Sequence, residues 1–151
     1  MTFDKFTIKA QEAIQEAVNL VQARGQQAIE PEHLLAGILK VGENVTNFLF
    51  QKLGVNSRQI EQILESQIAS LPKVQGGEPY LSRESNEVLT RAQDYASKGG
   101  DEFVSLEPML LALLTVKSTA SRILKDAGIT EKELASAVNE LRKGEKVCLR
   151  N

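Results

Sequence analysis

The sequence has no tryptophan, one cysteine (Cys148), one histidine (His33) and only four prolines in 151 residues. A lone cysteine excludes an internal disulfide and fits a reducing cytoplasm, the expected location. It falls in Val147-Cys148-Leu149-Arg150-Asn151, after Gly144, which reads as a frayed tail with an unengaged thiol. One histidine and one cysteine do not fill the four-ligand shell of a structural zinc site, so no metal site is expected. Positive charge is not in excess: the formal net charge is −2, which leaves no field to hold a phosphate backbone and argues against a nucleic-acid partner. No apolar run approaches the roughly 20 residues that span a bilayer. Near the N-terminus Lys5, Lys9, Glu12 and Glu16 interrupt any signal-peptide pattern, so no membrane partner is expected. Neither Gly-x-x-x-x-Gly-Lys-Ser/Thr nor Gly-x-Gly-x-x-Gly occurs, and no cofactor is expected in this chain.

What is abundant is helix-forming residue types arranged in a repeat. Glu32-His33-Leu34-Leu35-Ala36-Gly37-Ile38-Leu39 aligns with Glu107-Pro108-Met109-Leu110-Leu111-Ala112-Leu113-Leu114 at a shift of 75 residues. Phe6-Thr7 meets Leu81-Ser82, Ala17 meets Ala92, and Arg24-Gly25 meets Gly99-Gly100 at the same shift. After one deletion, Leu53-Gly54-Val55-Asn56 meets Ala127-Gly128-Ile129-Thr130, and Ile60 meets Leu134. The chain therefore reads as all-α, two tandem four-helix repeats (1–70 and 81–143) related by a pseudo-two-fold axis, joined by a surface linker at 71–80. The linker is marked by two prolines and a glycine pair, which forbid a continuous helix. Residues 1–147 form the domain and 148–151 a tail or an appended remnant.

Local chemistry marks the helices. Thr7 is the expected N-cap of the first, with Ala10, Ile14, Ala17, Val18 and Val21 on one stripe and Gly25 as its stop. Pro31 opens a second, short helix whose Leu34, Leu35, Ile38 and Leu39 predict full burial. A third runs from about Val45 to Leu53, and Asn56 with Gln59 predicts a capping box for the fourth, as Thr130 with Glu133 does in repeat two. Ser82 caps the first helix of repeat two, with Val88, Leu89, Ala92 and Tyr95 on one face. Met109 to Leu114 form its buried short helix. The seam between halves is the natural place for a groove.

Nucleophilic or acid–base catalysis is not expected. His33 sits in the first turn of an apolar helix with no nucleophile beside it, and its counterpart is Pro108, so it reads as a structural, hydrogen-bonded residue. The pairs Asp101-Glu102 and Glu30-Glu32 read as complements to helix dipoles. Asp101 and Glu107 also flank the apolar Phe103-Val104, an arrangement that suits recognition of an extended or basic peptide, though on the residues alone this reading ranks below an ordinary solvated loop.

On these residues the chain resembles the N-terminal domain of the Clp/Hsp100 ATPases, the double Clp repeat. The resemblance rests on Phe6-Thr7-Ile8-Lys9-Ala10-Gln11-Glu12-Ala13, on Glu30-Pro31-Glu32-His33-Leu34-Leu35, on the linker from Leu71 to Arg83, and on Leu141-Arg142-Lys143-Gly144-Glu145-Lys146-Val147. The linker is most like that of the disaggregase branch. The resemblance implies a substrate-recognition domain of a hexameric AAA+ machine that extracts unfolded or aggregated polypeptides with the Hsp70 system, as a chaperone in the stress response. ATP and Mg would belong to modules outside this chain, and the isolated domain would be monomeric. It further implies that Thr7, Asp101 and Glu107, with Leu89 and a groove around Phe103, Val104 and Met109, handle substrate. Docking of a folded adaptor, as in the protease-linked branch, is the alternative function.

Overall fold

Helix-start and helix-stop chemistry sets the ends of four helices in each repeat. The computed structural model describes residues 2–150; Met1 of repeat one and Asn151 of the tail lie outside the described residues. Repeat one holds α1 (Ile8–Ala23), α2 (Pro31–Val41), α3 (Glu43–Leu53) and α4 (Ser57–Ala69). Repeat two holds α5 (Arg83–Lys98), α6 (Leu106–Thr115), α7 (Thr119–Asp126) and α8 (Glu131–Arg142). Thr7, Asn56, Ser82 and Thr130 each accept a hydrogen bond from the backbone N–H three residues on, at 3.1, 3.2, 3.1 and 3.2 Å. At Asn56 and Thr130 only this forward half of the expected box forms. The Glu133 carboxylate accepts from the Thr130 hydroxyl instead of its backbone (3.0 Å). A reciprocal pair forms at Ser118 and Ser121, where no box was expected (2.9 and 3.1 Å). The third helix starts at Glu43, two residues before the expected Val45, because Gly42 caps it.

The class is all-α, yet two short strands tie the halves together. β1 (Ala28–Ile29) pairs in parallel with β2 (Tyr80–Leu81), Ile29 opposite Leu81, and Phe6 makes an isolated bridge with Val104. Under the 75-residue shift Ile29 is equivalent to Val104, and Phe6 to Leu81. Each repeat thus offers its first position to the partner's loop, and the hydrogen bonds match. The N–H of Thr7 donates to the carbonyl of Val104 (2.9 Å), and that of its equivalent Ser82 to Ile29 (3.1 Å). Side chains repeat the pattern: the Gln11 amide donates to the Phe6 carbonyl (2.9 Å) and Asn86 to Leu81 (3.3 Å). Helix packing is reciprocal too, α3 against α8 and α4 against α7, with the equivalent α2 and α6 meeting at the centre. All nine residues from Leu106 to Leu114 are buried, as the apolar pattern predicts. The linker crosses the surface as expected, but its last residue, Tyr80, is part of β2.

The helix pair α1 and α2 packs closely through small residues. Ala10, Ala13 and Ala17 are fully buried, and a Cβ placed on Gly37 would lie 2.2 Å from the carbonyl oxygen of Ala13. The equivalent position in repeat two is Ala112, beside a helix that carries Val88 where α1 has Ala13. The extra methyl of Gly37→Ala has no room without backbone movement. We expect that variant to lose at least about 2 kcal/mol of stability, the overpacking range, measured by urea denaturation.

His33 is fully buried at the start of α2. Its Nδ1 accepts from the Glu30 N–H (2.9 Å), so the proton sits on Nε2, which donates to Gln26 Oε1 (2.8 Å). Gln26 in turn donates to the Ile68 carbonyl at the end of α4 (2.8 Å). Burial pushes the imidazole pKa down to about 4, and the charge of Arg24 acts in the same direction. A folded pKa below the unfolded value means that the unfolded chain binds the proton first. The stabilisation is complete above pH 6.5 and is lost as pH falls from there towards 4, by about 3 kcal/mol at most. His33→Gln should remove this component. Its unfolding free energy, compared with the unsubstituted chain from pH 7.5 to 4, should change less between pH 6.5 and 4.

Candidate functional site

The end of α8 carries an arginine on a stripe that is otherwise apolar: Leu134 and Val138 are buried, and Arg142 follows at the same spacing. Its guanidinium lies among acids. Nη1 donates to Asp101 Oδ2 (2.7 Å), Nη2 to Glu107 Oε1 (2.8 Å) and Ser105 Oγ (2.6 Å), and Nε to Glu107 Oε1 (3.2 Å). The Ser105 hydroxyl donates to the same Glu107 oxygen (2.7 Å). The side chains of Arg142, Asp101 and Glu107 are only 16%, 1% and 11% exposed. Burial opposes the guanidinium charge, but hydrogen bonds and charge from Glu107 and Asp101 outweigh it and raise its pKa.

The chain leaves α8 through two residues with positive φ, Lys143 (52°) and Gly144 (83°), and folds back across this cluster. The N–H of Val147 donates to the second oxygen of Asp101 (2.9 Å), and the N–H groups of Glu102 and Phe103 donate to the Val147 carbonyl (2.8 and 3.3 Å). Further along, the Arg150 carbonyl accepts from the N–H of Ile8, the first residue of α1 (2.6 Å). Its guanidinium lies 5.8 Å from the Phe103 ring centroid, a cation–π contact, and donates to the Asp4 carbonyl (3.1 Å). Residues 145–150 are therefore not frayed: they cross the surface without regular secondary structure, bending at Leu149, and are held at Val147 and Arg150. Cys148 is exposed, as read from the sequence.

The structure brings Thr7, Asp101, Phe103, Val104 and Glu107 to one region. Thr7 and Glu107 line a depression of about 270 Å³ that also includes Val45, Leu106, Arg142 and Val147. Phe103 is half-buried and Val104 buried, with its backbone bonded to the Thr7 segment. Leu89 and Met109 are different. At 1% and 0% exposure they belong to the core, because α5 and α6 turn these positions inward, and they present no surface to a partner. The acids also differ from the expected open rim, since Arg142 pairs with both. Arg142, Ser105 and Val147 had not been singled out as site residues; the available signal was an arginine where repeat one has Ile68. A second depression, about 360 Å³, follows the α4–α7 seam between the halves, but none of the expected site residues line it. Among the described residues no group of three or more His, Cys, Asp or Glu could hold a metal ion, and no helix is long and apolar enough to cross a membrane.

Fold and site together define a tandem-repeat helical domain with a polar clamp where the repeats cross and an irregular segment laid over it. Residues 5–127 match the model of the Clp repeat N-terminal domain. The chain is 73% identical over 147 residues to "Chaperone protein ClpB" of Bacteroides thetaiotaomicron, covering 97% of this chain and 17% of that protein. It is 52% identical to the protein of the same name from Porphyromonas gingivalis, with the same coverage. The N-terminal domain of Hsp104 from Candida albicans, 24% identical, shares the fold with a TM-score of 0.86 over 98% of both chains. The chain belongs to the Clp repeat N-terminal domain family, and it spans about a sixth of the length of the chaperones it matches.

Removing one partner from a buried ion cluster leaves uncompensated charge. Arg142→Met should cost about 3 kcal/mol or more in unfolding free energy, far more than the loss of a surface pair. Calorimetry or urea denaturation at pH 7 measures it. Lys52→Met, which breaks the exposed pair with Glu140 on α8, should cost less than about 1 kcal/mol.

Proposed function

We propose that this domain binds unfolded or aggregated polypeptide for an ATP-driven chaperone, through the face formed by the α1 N-terminus, residues 101–104 and the Arg142 cluster. In this reading the chain supplies the binding step only. ATP and Mg act in modules outside it, in a hexameric cytoplasmic disaggregase that works with the Hsp70 system. The observation that carries the reading is the main chain of residues 145–150, free of helix and strand, lying across this face: the N–H groups of Ile8, Glu102 and Phe103 meet peptide carbonyls there, and the Asp101 carboxylate meets a peptide N–H. Such a surface takes hold of a polypeptide by groups that every sequence possesses. The identity to chaperones over 97% of the chain supports the same assignment.

Thr7, Asp101 and Glu107 then act as positioning residues. Thr7 fixes the α1 terminus against Val104, while Glu107 and Asp101 hold Arg142, leaving one Asp101 oxygen for a peptide N–H. Phe103 supplies an apolar, half-buried contact, while the buried Val104, Leu89 and Met109 belong to the core and do not meet the partner. Binding is weak, because an unfolded partner loses conformational entropy on docking and gives little apolar area in return.

A titration followed by amide NMR tests the reading. A permanently unfolded polypeptide should shift the resonances of Ile8, Glu102 and Phe103, and Phe103→Ala should weaken binding about fivefold, as loss of a modest contact residue does. Adaptor docking predicts instead a stoichiometric folded partner and no response to unfolded chains. Unmoved resonances at all three positions would sink the proposed face.

A further inference from the structure

The segments that follow the last helix of each repeat run over equivalent ground. After α4, the Val74 N–H donates to the Gly25 carbonyl (2.9 Å), and the Gln27 side chain donates to the Glu78 carbonyl (3.3 Å). After α8, the N–H groups of Glu102 and Phe103 donate to the Val147 carbonyl. Glu102 is the repeat-two equivalent of Gln27, and Gly100 that of Gly25. In both repeats, then, the stretch that leaves the fourth helix folds back on the loop that leaves the first. The difference is in how each is held. The linker continues directly into β2, where pairing with β1 and the Ser82–Ile29 hydrogen bond lock it between two structured elements. Residues 145–150 are held by main-chain hydrogen bonds, the Arg150 contacts and one half-buried side chain, Val147; the other five side chains are exposed.

We propose that residues 145–150 are a resident strap on this track and that an extended polypeptide binds by displacing them. The proposal rests on the function proposed above and adds its regulation: strap and polypeptide are mutually exclusive. The occupant it commits to is an extended chain with an apolar residue at the place of Val147 and a basic residue three positions later. The first enters the depression beside Thr7, Val45 and Leu106. The second takes the place of Arg150 over Phe103. Main-chain recognition leaves the remaining positions free to vary. Ile8 belongs to the first turn of α1, whose N–H has no partner within the helix, so the track offers a donor to whichever chain lies there.

The test uses the full chain with Val147→Pro, which removes the N–H bonded to Asp101, and Arg150→Ala, which removes the cation–π contact. The probes are reduced, carboxymethylated α-lactalbumin as the unfolded polypeptide, and a synthetic peptide of the sequence 145–150 bearing Cys148→Ser. If the strap competes, both variants bind the unfolded protein more tightly than the unsubstituted chain. Val147→Pro should gain about fivefold, the worth of one net hydrogen bond. The free peptide should then shift Ile8, Glu102 and Phe103 in the Val147→Pro chain and reverse the gain. Equal affinities in all three chains, with shifts at those amides, overturn the strap and leave the function standing. No polypeptide binding in any form, while the free peptide still shifts those amides, overturns the function and the competition together.

Discussion

The exchange of main-chain hydrogen bonds between repeats is the constraint on which the rest depends. The N–H of Thr7 donates to Val104 and that of Ser82 to Ile29, so the N-cap donor of each repeat's first helix is satisfied by the loop of the other. Buried backbone groups are costly to leave unpaired, and neither repeat completes its own accounting alone. The crossing forces α2 and α6 side by side at the centre, where most of their apolar residues are buried. It also places the N-terminus of α1 against residues 101–104 of the other repeat. The candidate site is thus a by-product of the two-fold arrangement.

Within that symmetry the two repeats have diverged at one set of equivalent positions. Gln26 and Asp101 both sit buried in the loop after the first helix, and both reach the end of the fourth. Gln26 donates to the Ile68 main-chain carbonyl; Asp101 accepts from the side chain of Arg142, the equivalent of Ile68. His33, neutral and bonded to Gln26, is replaced by Pro108, which has nothing to offer. A buried ion cluster is a poor source of net stability compared with an apolar one, because desolvation consumes most of the attraction. What the ionic version does provide is a carboxylate with an oxygen to spare, aimed at a peptide N–H. The neutral version uses its amide to close the helix ends and is covered by the linker. Asymmetry in charge leaves one loop closed by neutral amides and the other holding an ion cluster with a carboxylate oxygen turned to the main chain of Val147.

Much of this was legible in the residues because it is local or periodic. Thr7, Asn56, Ser82 and Thr130 announce helix starts through a hydroxyl or amide next to an apolar stripe, and the structure places a cap at each. The repeat could be read because equivalent positions keep their class even where identity is lost. Burial within a wholly apolar helix was less legible. Met109 and Leu89 are hydrophobic in either reading, and only packing shows that α5 and α6 turn them inward. Arg142 is not legible as a partner of Asp101 and Glu107, because the sequence places it far from both. Only the fold brings a charge on an apolar stripe opposite two acids. The strands were hidden for a similar reason: two residues each give no alternation to detect, and their partners lie in the other repeat.

The segment after α8 illustrates how a contact can be specific in geometry and still cheap to break. Its hydrogen bonds exchange for bonds to water on release, so each contributes only about 1 kcal/mol net. Most of its side chains are exposed already, and little apolar surface changes environment when it leaves. Lys143, a non-glycine residue at φ 52°, turns the chain at the end of α8, where its N–H donates to the Asn139 carbonyl (2.8 Å), so this turn belongs to the helix end and stands apart from the segment's own contacts. By contrast, the Arg142 cluster beneath it keeps its own partners whether the segment is present or absent, apart from the one Asp101 oxygen. Local opening here leaves the core untouched, which is the property a surface needs if it is to exchange one extended chain for another.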